Sequence, residues 1–186
     1  MKLQIYLFYY YFMKVGIIGS SKGNNSLHKI NQHNYKKMQS IAKSNVNSDD
    51  TLVSGGSSFS DHIAVSLFLQ GYVQKLVLYL PCKWVEATCH FDNTTKEGQK
   101  LNQLHDDFSK KVGVMSLQNI QMAIDKGAIV HIVEGFHNRN NFIAATIDKL
   151  IAFTFEKKMT PGTQYTWNKT QVPKLHFVLG LGVDLY

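Results

Sequence analysis

Apolar residues in this chain gather in short unbroken runs, and the stretches between them are amphipathic or polar. Lys14 to Gly19, Thr51 to Ser54, Lys75 to Pro81, Ala128 to Val133, Leu150 to Phe155 and Leu175 to Leu179 are such runs, each bounded by Gly, Ser, Asn or Pro. Runs of this length read as buried strands. Lys75 to Pro81 is apolar almost throughout, as a central parallel strand would be. Helical spacing fits 27–44, with Ile30, Tyr35, Met38, Ile41 and Ala42 on one side, and 61–69, with Ile63, Ala64, Leu67 and Phe68. Helices are also expected over 94–109, over 116–126 with Ser116 as its cap, after the polar turn at Glu134, and over 163–169. Gly71 and Gly127 read as helix stops. Strands alternating with helices at these intervals predict a Rossmann-like three-layer α/β sandwich, with a mainly parallel sheet of about six strands and helices on both faces.

Four turns rich in small residues lie at the carboxyl ends of the expected strands: Gly19 to Ser26, Ser54 to Asp61, Glu134 to Asn140, and Pro161 to Thr166. In open parallel sheets, ligands bind beyond those ends. Glycine and serine let backbone amides face an anion without side-chain obstruction. Gly19, Ser20 and Ser21 qualify in the first turn. Ser54, Gly55, Gly56 and Ser57 qualify in the second, either as a pocket floor or simply as the turn. The first turn is neither a Walker loop nor a full G-x-G-x-x-G fingerprint.

In the third turn, Gly135, Arg139 and Asn140 come first. A guanidinium at a helix start suits a phosphate; the alternative is a surface ion pair with Glu134 or Asp148. Gly162, Thr163 and Thr166 can surround an anion with amides and hydroxyls, although capping alone accounts for Thr163 equally well. Asp61 can hold a ribose hydroxyl or a purine edge, or cap its helix. Glu134 is the carboxylate best placed for acid–base work, set against structural pairing with Arg139. His62 and His131 read as packed histidines. Cys82, Cys89, His90 and Asp92 do not have the spacing of a zinc site, so no metal and no cofactor are expected. The loop 82–93 reads as a lid, with Trp84 or Phe91 available to stack on a base.

Composition adds the context. The 186 residues make one domain, 44% hydrophobic and 18% charged. A formal charge of +7 favours anionic partners, but the lysines are scattered in pairs rather than massed in a groove. Two cysteines are too few for a disulfide framework, which points to a reducing, cytoplasmic setting. Residues 1–12 form an apolar, aromatic extension too short for a membrane helix, and no membrane partner is expected. Residues 13–186 are expected to form a single nucleotide-binding domain.

Leu52-Val-Ser-Gly-Gly56 with Asp61 and Ala64, Gly135-Phe136 with Arg139-Asn140 and Asp148, and Pro161-Gly-Thr163 with Thr166 follow one another in an order that resembles a known superfamily. It is the Smf/DNA-processing-protein-A and "lonely guy" (LOG) superfamily of Rossmann-like domains, also called SLOG-type. The resemblance covers most of the chain from Met13 onward. It implies that these turns line one pocket for a nucleotide or a nucleotide-derived small molecule. One branch hydrolyses nucleoside 5′-monophosphates at the N-glycosidic bond, and another binds single-stranded DNA. Two positions depart from the pattern: Thr166 stands where the hydrolases carry Glu, and Phe59 stands where the DNA-binding branch carries Gly. Binding is therefore favoured over catalysis. Hydrolysis and single-stranded DNA binding stay as alternatives, and a homodimer is open.

Overall fold

The structure is a computed structural model that describes residues 12–20 and 30–179. Its six-stranded sheet has the order β6-β3-β2-β1-β7-β8, with every pairing parallel. The strands are β1 (Lys14–Gly19), β2 (Thr51–Ser54), β3 (Lys75–Leu80), β6 (Ile129–Ile132), β7 (Lys149–Thr154) and β8 (Lys174–Val178). The helices are α1 (Gln32–Lys43), α2 (His62–Leu69), α3 (Lys96–Val112), α4 (Ser116–Asp125), α5 (Phe136–Thr146) and α6 (Pro161–Lys169). The expected three-layer Rossmann-like architecture is what the chain adopts.

Alternation along the strands separates two cores. Val15, Ile17, Leu52, Leu76, Leu78, Ile151 and Phe153 face the layer that contains α1 to α4. Ile18, Val53, Tyr79, Leu150 and Ala152 face the opposite layer, where α5 supplies Ile143 and Trp167 of α6 packs at the margin. Helix α2 is buried from His62 to Phe68, as expected of a helix apolar on nearly all sides. From β1 the chain works outward to β6 across one face of the sheet. It then crosses back through α5 to place β7 beside β1. The strand order thus reverses between β1 and β7.

The amino ends of the strands are tied by two carboxylates. Asp50 accepts from Met13 N (3.0 Å) and Asn47 N (2.8 Å), and Asp148 accepts from Lys14 N (2.8 Å). Asp148 is therefore at the far end of the sheet from Arg139 and cannot pair with it.

Three local expectations change. Residues 82–93 are a small hairpin of β4 (Trp84–Val85) and β5 (His90–Phe91) closed by a 3-10 turn at Glu86–Thr88. Asn102 pins it, accepting from Phe91 N (2.9 Å) and donating to Phe91 O (2.9 Å). Trp84 and Phe91 are buried, with the indole N–H on Gln121 Oε1 (2.7 Å), so neither can stack on a ligand base. Ser116 does not cap α4; its hydroxyl lies 3.0 Å from His105 Nδ1 and 2.8 Å from Ser109 Oγ. His62 is packed as expected, but His131 lies exposed on β6, stacked on Tyr79.

Candidate functional site

The carboxyl ends of β1, β2 and β7 meet the first turns of α5 and α6 around a cavity of about 190 Å³. This is the point where the strand order reverses, and doubly wound sheets open a crevice there. Of the sequence candidates, the cavity gathers Gly19, Ser57, Asp61, Arg139, Asn140, Gly162, Thr163 and Thr166. Ile18, Ile143 and Thr160 line it as well and were not foreseen. Thr160 was legible: a Thr-Pro pair is the N-cap and first position of a helix, and α6 does begin at Pro161 rather than Thr163.

Asp61 is buried but does not cap α2; its backbone is already helical and its side chain makes no cap hydrogen bond. Burial raises its carboxyl to about 6, against the opposing pull of Arg139 and of backbone hydrogen bonds from Ser57, Gly55 and Gly19. The turn beneath it is fixed by its own chemistry. Ser54 Oγ donates to Asp61 O (2.9 Å) and accepts from Gly56 N (3.3 Å). Ser20 N donates to Phe153 O (3.0 Å), and Ser20 O accepts from Ser60 Oγ (3.0 Å). Ser20 and Ser54 thus hold the frame rather than line the cavity. Ser21 lies outside the described residues.

Arg139 is half-buried and largely occupied. Nη1 donates to Gly55 O (3.0 Å), while Nε (3.0 Å) and Nη2 (2.8 Å) both donate to Asn140 Oδ1. Its charge faces Asp61, and neither expected surface partner, Glu134 or Asp148, is involved. A Cβ on Gly55 would come within 2.8 Å of the guanidinium carbon, so glycine is required there for this approach. Gly56, at φ +65, is held from the other side by His105, whose Nε2 lies 3.0 Å from Gly56 O. A carbonyl can only accept, so Nε2 carries the proton and Nδ1 accepts from Ser116. His105 and His62 are both buried, which lowers them to about 4 and about 3. His105 had no local signal; its partner lies 49 residues away.

The first turn of α6 faces the cavity through Gly162 and Thr163, and no side chain caps it. Thr163 Oγ1 is 2.9 Å from Thr160 Oγ1, and Thr166 Oγ1 donates to Gly162 O (3.2 Å). Glu134 and Gly135 lie elsewhere. Both line a separate groove with Cys82, Asp92 and Glu97, and Glu134 is exposed. The carboxylate in the cavity is Asp61. Among the described residues, no three His, Cys, Asp or Glu side chains gather as a metal site requires, and no helix is long and apolar enough to cross a membrane.

Fold and cavity together define a Rossmann-like α/β domain with a polar crevice at its topological switch point. No family model matches the chain. It is similar to "Uncharacterized protein R261" of Acanthamoeba polyphaga mimivirus, at 41% identity over 119 residues. The match takes in 63% of this chain and 64% of that protein, so less than two thirds of the relative's length is spanned. Among solved structures, DNA processing protein A (DprA) from Streptococcus pneumoniae aligns over 88% of this chain and 58% of its own, at 12% identity and a TM-score of 0.47.

Proposed function

We propose that the chain binds a nucleotide or a nucleotide-derived small molecule in the cavity at the β1–β7 switch point. The observation that carries this reading is a buried carboxylate, Asp61, lining the same small cavity as the uncapped start of α6. Free amides at a helix start attract a phosphate, and an ionised carboxylate accepts from sugar hydroxyls. A cavity of about 190 Å³ is below the roughly 300–1,000 Å³ of pockets that enclose drug-sized ligands. The sugar phosphate is therefore the part it would enclose. Arg139 acts in this reading as a brace for Gly55 and a counter-charge for Asp61. The setting is a reducing, cytoplasmic one, in which Cys82 and Cys89 stay free thiols.

Hydrolysis of the N-glycosidic bond is the second reading. It draws on Asp61, whose carboxyl near 6 can exchange a proton close to neutral pH. Thr166, in the place of a glutamate, counts against it.

Calorimetric titration with nucleoside 5′-monophosphates, ribose 5-phosphate, inorganic phosphate and a short single-stranded oligonucleotide tests the proposal on wild type, Asp61→Asn and Thr163→Val. Monophosphates and ribose 5-phosphate are expected to bind. Each variant should weaken them about tenfold or more, equivalent to about 1.4 kcal/mol. Chromatography of the same mixtures reads any release of free base. Binding of the oligonucleotide alone, or monophosphate binding that both variants leave intact, would sink the proposal.

A further inference from the structure

The two edges of the sheet are treated differently. β8 follows Pro173, begins with Lys174, and all five of its residues are half-buried. Proline and lysine are common guards against unwanted pairing at an edge strand. β6, Ile-Val-His-Ile, carries neither guard. Ile129 is 56% exposed and Ile132 48% exposed, on opposite faces of the strand. On the α5 side the apolar surface continues through a row of stacked rings, His131 on Tyr79 (5.1 Å) and Tyr79 on Phe142 (5.9 Å), with Phe142 itself 49% exposed. A parallel sheet normally has both faces covered out to its edge.

The hydrogen-bond pattern specifies what fits this edge. Val133 N donates to Leu80 O and Gly135 N to Pro81 O, so odd-numbered residues turn their amides toward β3. Backbone groups alternate along a strand, so Val130 and Ile132 point theirs outward, where no described strand pairs with them. We infer that β6 is a self-association edge, and that a second copy of this chain docks there by antiparallel β6–β6 pairing. A two-fold axis perpendicular to the sheet requires opposed residues to point to the same face. Centred on His131, it sets Val130 against Ile132 of the second copy, and Ile132 against Val130. All the outward groups of the strand are then satisfied in two hydrogen-bonded pairs. The result is a continuous twelve-stranded sheet by simple doubling of the six. Ile129 meets Val133 of the second copy on the α5 face. Self-complementarity of this kind is what an isologous interface demands, and a partner without it would have to supply its own extended strand.

A four-residue strand pair is a small interface, so association should be weak. Sedimentation velocity of the full chain from about 5 to about 300 µM brackets that regime. About 0.15 M salt screens the repulsion between the +7 chains. The mass is expected to rise with concentration from 21.1 kDa toward twice that value. Ile132→Lys places a charge on the open edge. Val130→Pro removes an outward N–H that β3 does not use. Both should stay monomeric throughout, with unchanged circular dichroism. Wild type that stays at 21.1 kDa over the whole range overturns the inference. So does a dimer that both variants leave intact.

Discussion

Replacing Asp61 by Asn keeps the shape of the side chain and removes its charge, which makes the cost of that charge measurable. Burial raises the carboxyl from 3.8 to about 6. A shift of about two units corresponds to about 3 kcal/mol. A carboxyl whose folded pKa is raised contributes stability that is fully present below pH 3.8 and is lost as pH rises through 6. At pH 7 the wild type therefore carries the whole penalty and Asp61→Asn carries none. The amide gives back part of the gain, because it presents N–H groups near the amides of Gly55 and Ser57; the lost attraction to Arg139 is already contained in the net shift. A mismatch of that kind costs about 1–2 kcal/mol. The variant should thus be about 1–2 kcal/mol more stable than wild type at pH 7, and about 1 kcal/mol less stable near pH 4, where the charge penalty has almost gone and the mismatch remains.

Urea unfolding at half-unit pH steps gives both curves, and their difference is the quantity to read. Wild type alone would mislead, because His62 and His105 act in an overlapping window with the opposite sign. Their folded values are lowered from 6.5 to about 3 and about 4, so stability is lost as pH falls below 6.5 and the unfolded chain takes up protons. Those contributions are common to both proteins and cancel in the difference. A difference curve that is flat, or that falls as pH rises, would refute the reasoning: Arg139 and the turn amides would then hold Asp61 ionised as a structural ion pair. A variant that gains stability while losing the ligand would show that the carboxylate is kept at a stability cost, as functional groups often are.

Gly55→Ala should push the Arg139 guanidinium off Gly55 O, since the new methyl would lie 2.8 Å from Cζ and Nη1. About 1–2 kcal/mol of stability, read by urea unfolding, should be lost with that bond; an unchanged midpoint would show the bond to be dispensable. Phe59 is fully buried at φ +57, a left-handed conformation that disfavours side chains. Phe59→Ala removes the ring and keeps the strain, whereas Phe59→Gly removes both. The glycine variant should therefore be the more stable of the two by about 1 kcal/mol, although both lose about 3–5 kcal/mol of packing. The reverse order would mean that this backbone is not strained.

The inner strands were legible nearly to the residue because both of their faces are covered, and fully covered strands read as unbroken apolar runs. The hairpin at Trp84–Phe91 was not, because two-residue strands carry no periodicity and their anchor, Asn102, lies on the following helix. Ser116 and Asp61 looked like caps because capping is the commonest local use of their side chains. Each instead serves a distant partner, Ser116 the ring of His105 and Asp61 the cavity. Arg139 does line the cavity, but its partner was not legible: Gly55 O is 84 residues away, and no local pattern encodes that distance. Glu134 was a strand-end carboxylate by position, yet it turns into the neighbouring groove.

The Gly55–Gly56 turn shows how a folding constraint borders the cavity. Its two successive carbonyls are clamped from opposite layers of the sandwich, Gly55 O by Arg139 of α5 and Gly56 O by His105 of α3. The first glycine is demanded by the guanidinium against its Cα, the second by a positive φ. The accept-only carbonyl of Gly56 places a proton on His105 Nε2, and in the neutral ring Nδ1 accepts from the Ser116 hydroxyl. Burial disfavours the charged ring, which keeps His105 neutral near pH 7. The turn is therefore held from both layers, with the amides of Gly55 and Ser57 hydrogen-bonded to the Asp61 carboxylate. With the turn so held, burial keeps the Asp61 carboxyl about two pKa units above its ordinary range, even against the pull of Arg139 and of those amides.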